Sequence, residues 1–201
     1  MKKTSVLLVA LLLLVCHVNG QYTETLNIEE TFDQVQLDGN VRLYLKEGTE
    51  TKVSLETRNE QKMKDYKIAI QNNTLSIGLR KKERNGGTRK RHSSPKITVY
   101  LTHPGLEGIH MDGLIHVYSI DTVSNASLSI TGDGLIRGEI EVDVQRLAVD
   151  LDGLCSMKFS GKADDATLRL DGMGKINARD LETSQVYKSA DGLTSISVAK
   201  L

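Results

Sequence analysis

An Asp-Gly pair recurs at nearly constant spacing through the second half of this chain, and no other feature of the sequence constrains the fold as strongly. Successive aspartates in this part are separated by 21, 19, 19 and 20 residues, and one earlier copy stands at Asp38-Gly39. A period of about 20 residues is typical of proteins whose structural units stack on one another. The five later copies are Asp112-Gly113, Asp133-Gly134, Asp152-Gly153, Asp171-Gly172 and Asp191-Gly192.

The hydrophobic pattern repeats together with the Asp-Gly pair. The position four residues after each aspartate is polar in every copy, whereas the positions on either side of it are mostly apolar. Polar and apolar residues therefore alternate with the period of two that a half-buried strand requires. The polar column consists of Arg42, His116, Arg137, Ser156, Lys175 and Ser195.

A unit with only two short strands cannot bury its own apolar face, so its copies must stack on their neighbours. Strands stacked in parallel register lie ~4.8 Å apart and place equivalent residues in columns. The glycine after each aspartate would allow a corner that a side chain would obstruct. The sequence therefore predicts an all-β fold, a parallel β-helix (β-solenoid) with coils of about 20 residues.

The N-terminal part predicts additional strands and a β-hairpin. Apolar and polar residues alternate from Gln34 onward. Residues 66–71 and 74–80 read as two strands that are joined at Asn72-Asn73, because asparagine tolerates the positive φ of a tight turn. Further predicted elements are a strand at residues 96–102 and a short polar helix at residues 59–66.

The first 20 residues have the pattern of a secretory signal peptide. Lys2 and Lys3 precede an apolar run over residues 6–15, and small residues follow it. The run is too short to cross a bilayer, and no later stretch reaches the ~20 apolar residues that a transmembrane helix needs. We therefore expect an exported protein whose mature chain has no transmembrane segment. The expected organisation is a signal peptide at 1–20 and one domain at 21–201, with an N-terminal β part at 21–104 and regular coils at 105–201.

The two cysteines bear on lipid anchoring and on disulfide formation. Cys16 lies in the apolar run, but a lipoprotein signal would place a small residue before it, and Val15 stands there instead. We therefore do not expect a lipid anchor at Cys16. Cleavage after Gly20 would leave Cys155 alone, which excludes an intramolecular disulfide. Because Cys155 falls in an apolar column of the repeat, a buried and unreactive thiol is predicted.

Three segments carry a resemblance to a known family. They are the run Val-Gln-Leu-Asp-Gly-Asn-Val at residues 35–41, the Leu-Ser-Ile strand at 75–77 and the Gly-x-Gly-x-Ile run at 172–176. From Phe32 to Leu201 the chain resembles the auto-transporter adhesin head domain with a Gly-Ile-Asn signature (the GIN domain), common in exported proteins of Bacteroides-type bacteria. The resemblance implies a right-handed β-helix, a binding or adhesive role without established catalytic residues, and a location in the periplasm or at the cell surface of a Gram-negative bacterium.

The end of the chain departs from this family pattern. A tail containing glycine and proline is expected from the resemblance, but the sequence stops at Leu201 without one. The last coil is therefore expected to be open, and an open strand edge invites pairing with another chain. Homo-oligomerisation through the C-terminal coil follows as one predicted mode of association.

The repeated aspartates are a first candidate site. Carboxylates stacked one strand apart would repel by roughly 1 kcal/mol per neighbouring pair in water. Solvent, backbone N–H groups at the corners and nearby basic side chains could compensate, and this structural role is favoured. A row of calcium ions is the alternative, since hard cations prefer clustered carboxylates, although the chain lacks the Gly-Gly-x-Gly-x-Asp pattern of calcium rolls. The calcium candidates are Asp112, Asp133, Asp152, Asp171 and Asp191, and no other metal and no cofactor is predicted.

A second candidate site is the basic segment at residues 80–92. It holds seven Lys or Arg against one Glu, and the rest of the mature chain has 17 Lys and Arg against 25 Asp and Glu. One interpretation is a solvated hairpin loop. The other is contact with an anionic glycan or envelope component; nucleic acid is not expected, because no aromatic residue is interleaved for base stacking. The candidate binding residues are Arg80, Lys81, Lys82, Arg84, Arg89, Lys90 and Arg91.

Motifs for catalysis are not found in the sequence. Ser127, Ser129 and Ser156 lack flanking elbow glycines, and neither a His-Glu-x-x-His motif nor paired cysteines occur. The sequence therefore favours an exported, non-catalytic, adhesin-like module that presents a β-helix surface to a glycan, an envelope component or a protein. The alternative is a polysaccharide-cleaving lyase or hydrolase, since unrelated functions share this fold class, but the short coils leave no loops to wall a groove.

Overall fold

Eleven β-strands and one short helix make up the described part of the chain. The computed structural model describes residues 14–18, 21–26, 28, 30–58, 60–80 and 96–199. Its elements are β1 (Leu14–Val18), β2 (Gln21–Leu26), β3 (Gln34–Glu47), β4 (Lys52–Thr57), α1 (Glu60–Met63), β5 (Tyr66–Gln71), β6 (Thr74–Leu79), β7 (Ile97–His103), β8 (Gly108–Ser119), β9 (Val123–Leu170), β10 (Met173–Ala190) and β11 (Leu193–Val198). The fold is all-β, as predicted. One sheet runs in the order β1-β2-β4-β7-β3-β8-β9-β10-β11 and does not close into a barrel.

The copies of the repeat lie side by side in parallel register. Asp38 in β3 is the partner of Asp112 in β8, and Asp112 is the partner of Asp133 in β9. The pairs β9-β10 and β10-β11 are also parallel, with each strand offset by one repeat from the next. The prediction that successive copies stack in parallel register is therefore confirmed.

The glycines that follow the aspartates form a column across the sheet. A Cβ atom added at Gly113, Gly134, Gly153 or Gly172 would lie 2.5–2.6 Å from the carbonyl oxygen of the glycine in the preceding copy. The backbone of each also has a positive φ, between 93° and 113°, which L side chains rarely adopt. A residue with a side chain at these corners would push neighbouring copies apart.

Strand β9 differs from the sequence prediction of two short strands in each unit. It runs without interruption through the corners at Gly134 and Gly153. The positive φ of these glycines, 113° and 96°, turns the chain at each corner. Because the turn needs no loop, the short strands predicted for successive units are joined into one.

The N-terminal strands continue the same sheet on the other side of β3. Strand β7 is parallel to β3, whereas β2, β4 and β7 pair with one another in antiparallel fashion. The predicted hairpin is confirmed: β5 and β6 meet at Asn72 and Asn73, whose φ angles are 50° and 62°. Strand β6 attaches this hairpin to the first part of β3 in parallel register.

Helix α1 is shorter than the predicted helix at residues 59–66. It ends at Met63, and Tyr66 already belongs to β5. The Tyr66 side chain is buried and its hydroxyl donates a hydrogen bond of 3.0 Å to the carbonyl of Asn40. This tertiary contact fixes Tyr66 against β3 and limits the helix to a single turn.

The segment predicted to be a signal peptide contains one described strand. Strand β1 lies within residues 1–20 and pairs antiparallel with β2. Across the described ranges, we find no helix with the length and apolar character needed to span a membrane.

The core is built from the inward-facing columns of the repeat. Phe159, the largest fully buried side chain, is 0% exposed, and the aliphatic residues around it are buried as well. Cys155 lies in the same core, donates its Sγ–H to the Asp152 carbonyl at 3.3 Å and is 1% exposed. Burial raises the pKa of the Cys155 thiol to about 11. The predicted burial of Cys155 is confirmed, and the raised pKa disfavours its reactive thiolate form.

Candidate functional site: a tyrosine–cation face

The basic segment that the sequence singled out lies mostly outside the described residues. Of its candidate residues the structure describes Arg80, which is exposed and whose Nε donates a hydrogen bond of 2.9 Å to the Tyr66 carbonyl. The segment connects β6 to β7. The residues outside the described ranges are Lys81, Lys82, Arg84, Arg89, Lys90 and Arg91, so their binding role stays a prediction.

The aspartate column has a visible structural role at its C-terminal corners. The carboxylate of Asp171 accepts a hydrogen bond of 2.6 Å from the Gly172 N–H, and Asp191 accepts one of 2.8 Å from Gly192. Within the described ranges, no group of three or more His, Cys, Asp or Glu side chains is arranged to hold a metal ion. Calcium binding by Asp112, Asp133, Asp152, Asp171 and Asp191 stays an untested alternative to this structural role.

Two histidines outside the repeat's polar column make structural hydrogen bonds. His103 is buried, and its ring nitrogens pair with the Phe32 carbonyl at 2.7 Å and the Gly105 N–H at 3.1 Å. His110 pairs with the Thr131 hydroxyl at 2.7 Å. These contacts account for both rings without a ligand.

Three tyrosines from three adjacent strands stack on the outer face of the sheet. Tyr44 on β3 is the register partner of both Tyr100 on β7 and Tyr118 on β8. The ring centroids of Tyr44 and Tyr100 are 5.2 Å apart with an interplanar angle of 12°, and those of Tyr44 and Tyr118 are 5.6 Å apart at 26°. Stacking between aromatic rings is favourable, and it forms a continuous aromatic platform at whose edge Tyr100 is 36% exposed.

A row of basic side chains runs beside this platform. Arg42, His116 and Arg137 are register partners on β3, β8 and β9, two residues before the tyrosines or their equivalents along each strand. Burial and then the charges of Arg42, Lys96 and Arg137 lower the pKa of His116. Burial and then Arg42 and Arg58 lower the pKa of Lys96. We call this surface the tyrosine–cation face: Tyr44, Tyr100, Tyr118, Arg42, Lys96, His116 and Arg137.

Burial and, after it, neighbouring positive charges disfavour the charged forms of His116 and Lys96 and lower their pKa values. The Nε of Arg42 is buried and has no hydrogen-bond partner. Arg42, Lys96 and Arg137 form no ion pair with a carboxylate of the described chain. Because an anion nearby would stabilise every one of these cations, the face is suited to a negatively charged group.

Acidic side chains lie at the two ends of the face. At one end, burial and then the charge and hydrogen bond of Glu56 raise the pKa of Tyr100. At the other end, Lys158 forms ion pairs with Glu139 at 3.0 Å and with Asp180 at 3.2 Å. The unbalanced positive charge is therefore confined to the middle of the face, next to the stacked rings.

The sequence showed the basic column but not the aromatic platform. Tyr44 and Tyr118 both stand six residues after an aspartate of the repeat, so aligning that column would have found two of the three rings. Tyr100 has no Asp-Gly pair before it. Its position beside Tyr44 depends on the placement of β3 between β7 and β8.

Comparison with known proteins gives a family and several similar folds. Residues 31–200 match the family model described as "Putative auto-transporter adhesin, head GIN domain". A search of curated proteins found no match.

Three solved structures are similar over most of the chain. A putative adhesin from Bacteroides fragilis is 22% identical with a TM-score of 0.76, covering 88% of this chain and 78% of its own. A putative adhesin from Parabacteroides merdae is 14% identical with a TM-score of 0.68, covering 89% and 80%. A putative lipid binding protein from Parabacteroides distasonis is 13% identical with a TM-score of 0.61, covering 90% and 97%. At these identities the similarity shows a shared fold.

Proposed function

Because the chain belongs to the auto-transporter adhesin head GIN domain family, we propose that it is an exported, non-catalytic binding module that holds an anionic glycan on its tyrosine–cation face. The family and the predicted leader at residues 1–20 support export to the periplasm or the cell surface. The solved structures of similar fold are described as adhesins or as a lipid binding protein, and none as an enzyme.

The scaffold of this module is, in our proposal, a right-handed β-helix. The parallel register of successive copies and the glycine column support it, because both arise when each coil rises by one strand spacing. Equivalent side chains of successive coils then form columns on a flat outer face. Such a face offers a regular array of side chains to an extended polymer.

The observation that carries the function is the row of unpaired cations beside three stacked tyrosines. A sugar ring has apolar C–H groups that can pack against the exposed part of the tyrosine stack, such as Tyr100, while its carboxylate or sulfate group needs a charged partner. Arginine binds such groups through paired, charge-assisted hydrogen bonds. Neutral sugars would use only the rings, so the unbalanced positive charge favours an anionic glycan.

We expect the double variant Arg42→Gln/Arg137→Gln to bind an anionic oligosaccharide at least tenfold more weakly than the native protein. Loss of a hydrogen bond to a charged group costs about 1.5–3 kcal/mol, and two such groups are removed. The measurement is isothermal calorimetry with oligogalacturonate, beside its uncharged methyl ester. The ester should bind weakly to both proteins, because it retains ring packing but lacks the charge.

The matched control is Arg146→Gln/Arg179→Gln, which removes two exposed arginines elsewhere on the chain. This control should bind as the native protein does. Equal affinity of all three proteins for the charged oligomer, or no binding of it to the native protein, would contradict the proposal. Reducing ends released during the same incubation would indicate an enzyme instead.

Glycan binding should also depend on pH through His116. Burial and three neighbouring cations lower its pKa, so between that lowered value and the ordinary ~6.5 the unfolded chain binds more protons than the native one. In the free protein this difference makes stability fall as pH falls through that window. A bound anion favours the charged imidazolium and should raise the pKa of His116, so that affinity increases as the solution becomes acidic.

The measurement is an NMR titration of the histidine resonances with and without oligogalacturonate. The pKa of His116 should rise when the glycan is bound, whereas the chemical shifts of His110, whose ring contacts Thr131 outside the face, should not respond to the glycan. A His116 pKa that stays unchanged in the complex would argue against an anion at this face.

A further inference from the structure

An apolar cleft of about 400 Å³ opens between β2, α1 and the β5-β6 hairpin. Its volume falls within the ~300–1,000 Å³ range of sites that bind small ligands. Aliphatic side chains and methionine provide most of its surface: Leu26, Ile28, Met63, Ile68, Ile70 and Leu75.

The cleft is a part of the core that the sheet leaves uncovered. Strand β2 pairs with β4, and β6 pairs with β3, but β2 and β5 are not hydrogen-bonded to one another. Alternate residues of β2 therefore face the inner side of the hairpin across a gap. This geometry separates the cleft from the tyrosine–cation face, whose side chains point outward.

The burial of the lining side chains gives the cleft a closed floor and an open mouth. Leu75 is 0% and Leu26 4% exposed at the floor. Ile28, Ile68 and Ile70 are only partly buried although they pack against the core. Leaving these three side chains partly exposed costs free energy that an apolar ligand would recover by covering them.

Four charged residues also line the cleft, and they differ in whether their charge is available to a ligand. Lys64 and Glu60 satisfy one another in an ion pair of 3.0 Å. Arg80 is exposed and uses its Nε on the Tyr66 carbonyl, so its terminal N–H groups are left without an ion pair in the described chain. Glu24 is half-buried, and burial raises the pKa of its carboxyl, which disfavours the charged form. Arg80 is therefore the charge that can anchor a ligand, and it selects a negative one.

We propose that this cleft binds a single-chain amphiphile with an anionic headgroup, the chain packing along Leu26, Ile68 and Ile70 and the headgroup pairing with Arg80. The headgroup chemistry is a carboxylate or a phosphate, as in a fatty acid or a lysophospholipid. A second chain would exceed the space available. The site is independent of glycan binding, because no residue belongs to both surfaces.

The test is calorimetry on the delipidated protein with dodecanoate, lauroyl lysophosphatidate, dodecanol and dodecyltrimethylammonium, each in its monomeric range. We expect one molecule of dodecanoate or lysophosphatidate to bind per chain, and the tighter of the two identifies the headgroup. Arg80→Gln should weaken the anionic probes by about tenfold and leave dodecanol unchanged. Ile68→Trp should fill the cleft and abolish binding of every probe while the circular dichroism spectrum is retained.

Ile120→Trp is the matched control, since Ile120 is 54% exposed and lies outside the cleft, and it should bind all probes normally. Ile70→Ala is a second variant with a smaller change, should Ile68→Trp fail to fold, and it too should weaken binding. Absence of binding by the native protein, or equal binding by the cleft variants, would overturn the site. Tighter binding of dodecyltrimethylammonium than of dodecanoate would overturn the assignment of an anionic headgroup. Either result leaves the glycan proposal standing, because its experiment uses other residues.

Discussion

A Gly153→Ala variant is expected to lose about 3 kcal/mol or more of its free energy of unfolding. Gly153 has a φ of 96°, and an added Cβ would lie 2.5 Å from the Gly134 carbonyl oxygen. Backbone strain of this kind costs about 1–3 kcal/mol, and the clash adds to it because the obstructing atom is backbone rather than a mobile side chain. The change is large against the ~5–15 kcal/mol stability of an ordinary domain.

Urea denaturation followed by circular dichroism measures this loss, and Gly105→Ala is the matched control. The nearest atom to a Cβ at Gly105 is the Asn125 Nδ2 at 3.7 Å, an ordinary contact. The control should therefore change stability by no more than about 0.5 kcal/mol. If Gly153→Ala unfolded at the same urea concentration as the control, the stacking of the glycine corners would be wrong.

A Phe159→Ala variant is expected to be destabilised by about 3–5 kcal/mol. Phe159 is 0% exposed and is the largest fully buried side chain of the core. In the repeat it occupies the column that holds Ile140 in the preceding copy and Ala178 in the next, and both of these side chains are smaller than the phenyl ring that would be removed. The lost burial and the residual cavity both contribute to the cost.

Thermal and urea denaturation measure this loss of stability. The matched control is Tyr187→Ala, which removes an aromatic ring that is 59% exposed. We expect little change in the control, because its ring contributes little buried area. Cooperative unfolding with an unaltered midpoint for Phe159→Ala would show that this column does not supply the cohesion of the core.

Local and periodic features of the fold were predictable from the sequence. The hairpin follows from Asn72 and Asn73, whose positive φ is a property of two adjacent residues. The register of the copies follows because one column stays apolar over four copies, as Val41, Ile115, Ile136 and Cys155, and only one alignment keeps it buried. Both predictions depend on information that is carried within a short segment or repeated along the chain.

Features that join distant segments were not predictable in the same way. The tyrosine platform requires β3 to lie between β7 and β8, and no pattern within those strands specifies this order. The apolar cleft requires β2, which lacks a marked alternation of apolar residues, to face β5 across a gap. The basic segment at residues 80–92 can be recognised in the sequence because its charges lie close together along the chain. The charges of the tyrosine–cation face are brought together only by folding.

The parallel register has a consequence for how such a protein can change its length. One additional copy inserted between β8 and β11 would extend the molecule by one strand spacing of ~4.8 Å. Every outer side chain would still point outward. An insertion of one residue within a strand would instead exchange inside and outside from that point onward. The distance between the tyrosine–cation face and β11 is therefore adjustable only in whole increments of one strand spacing.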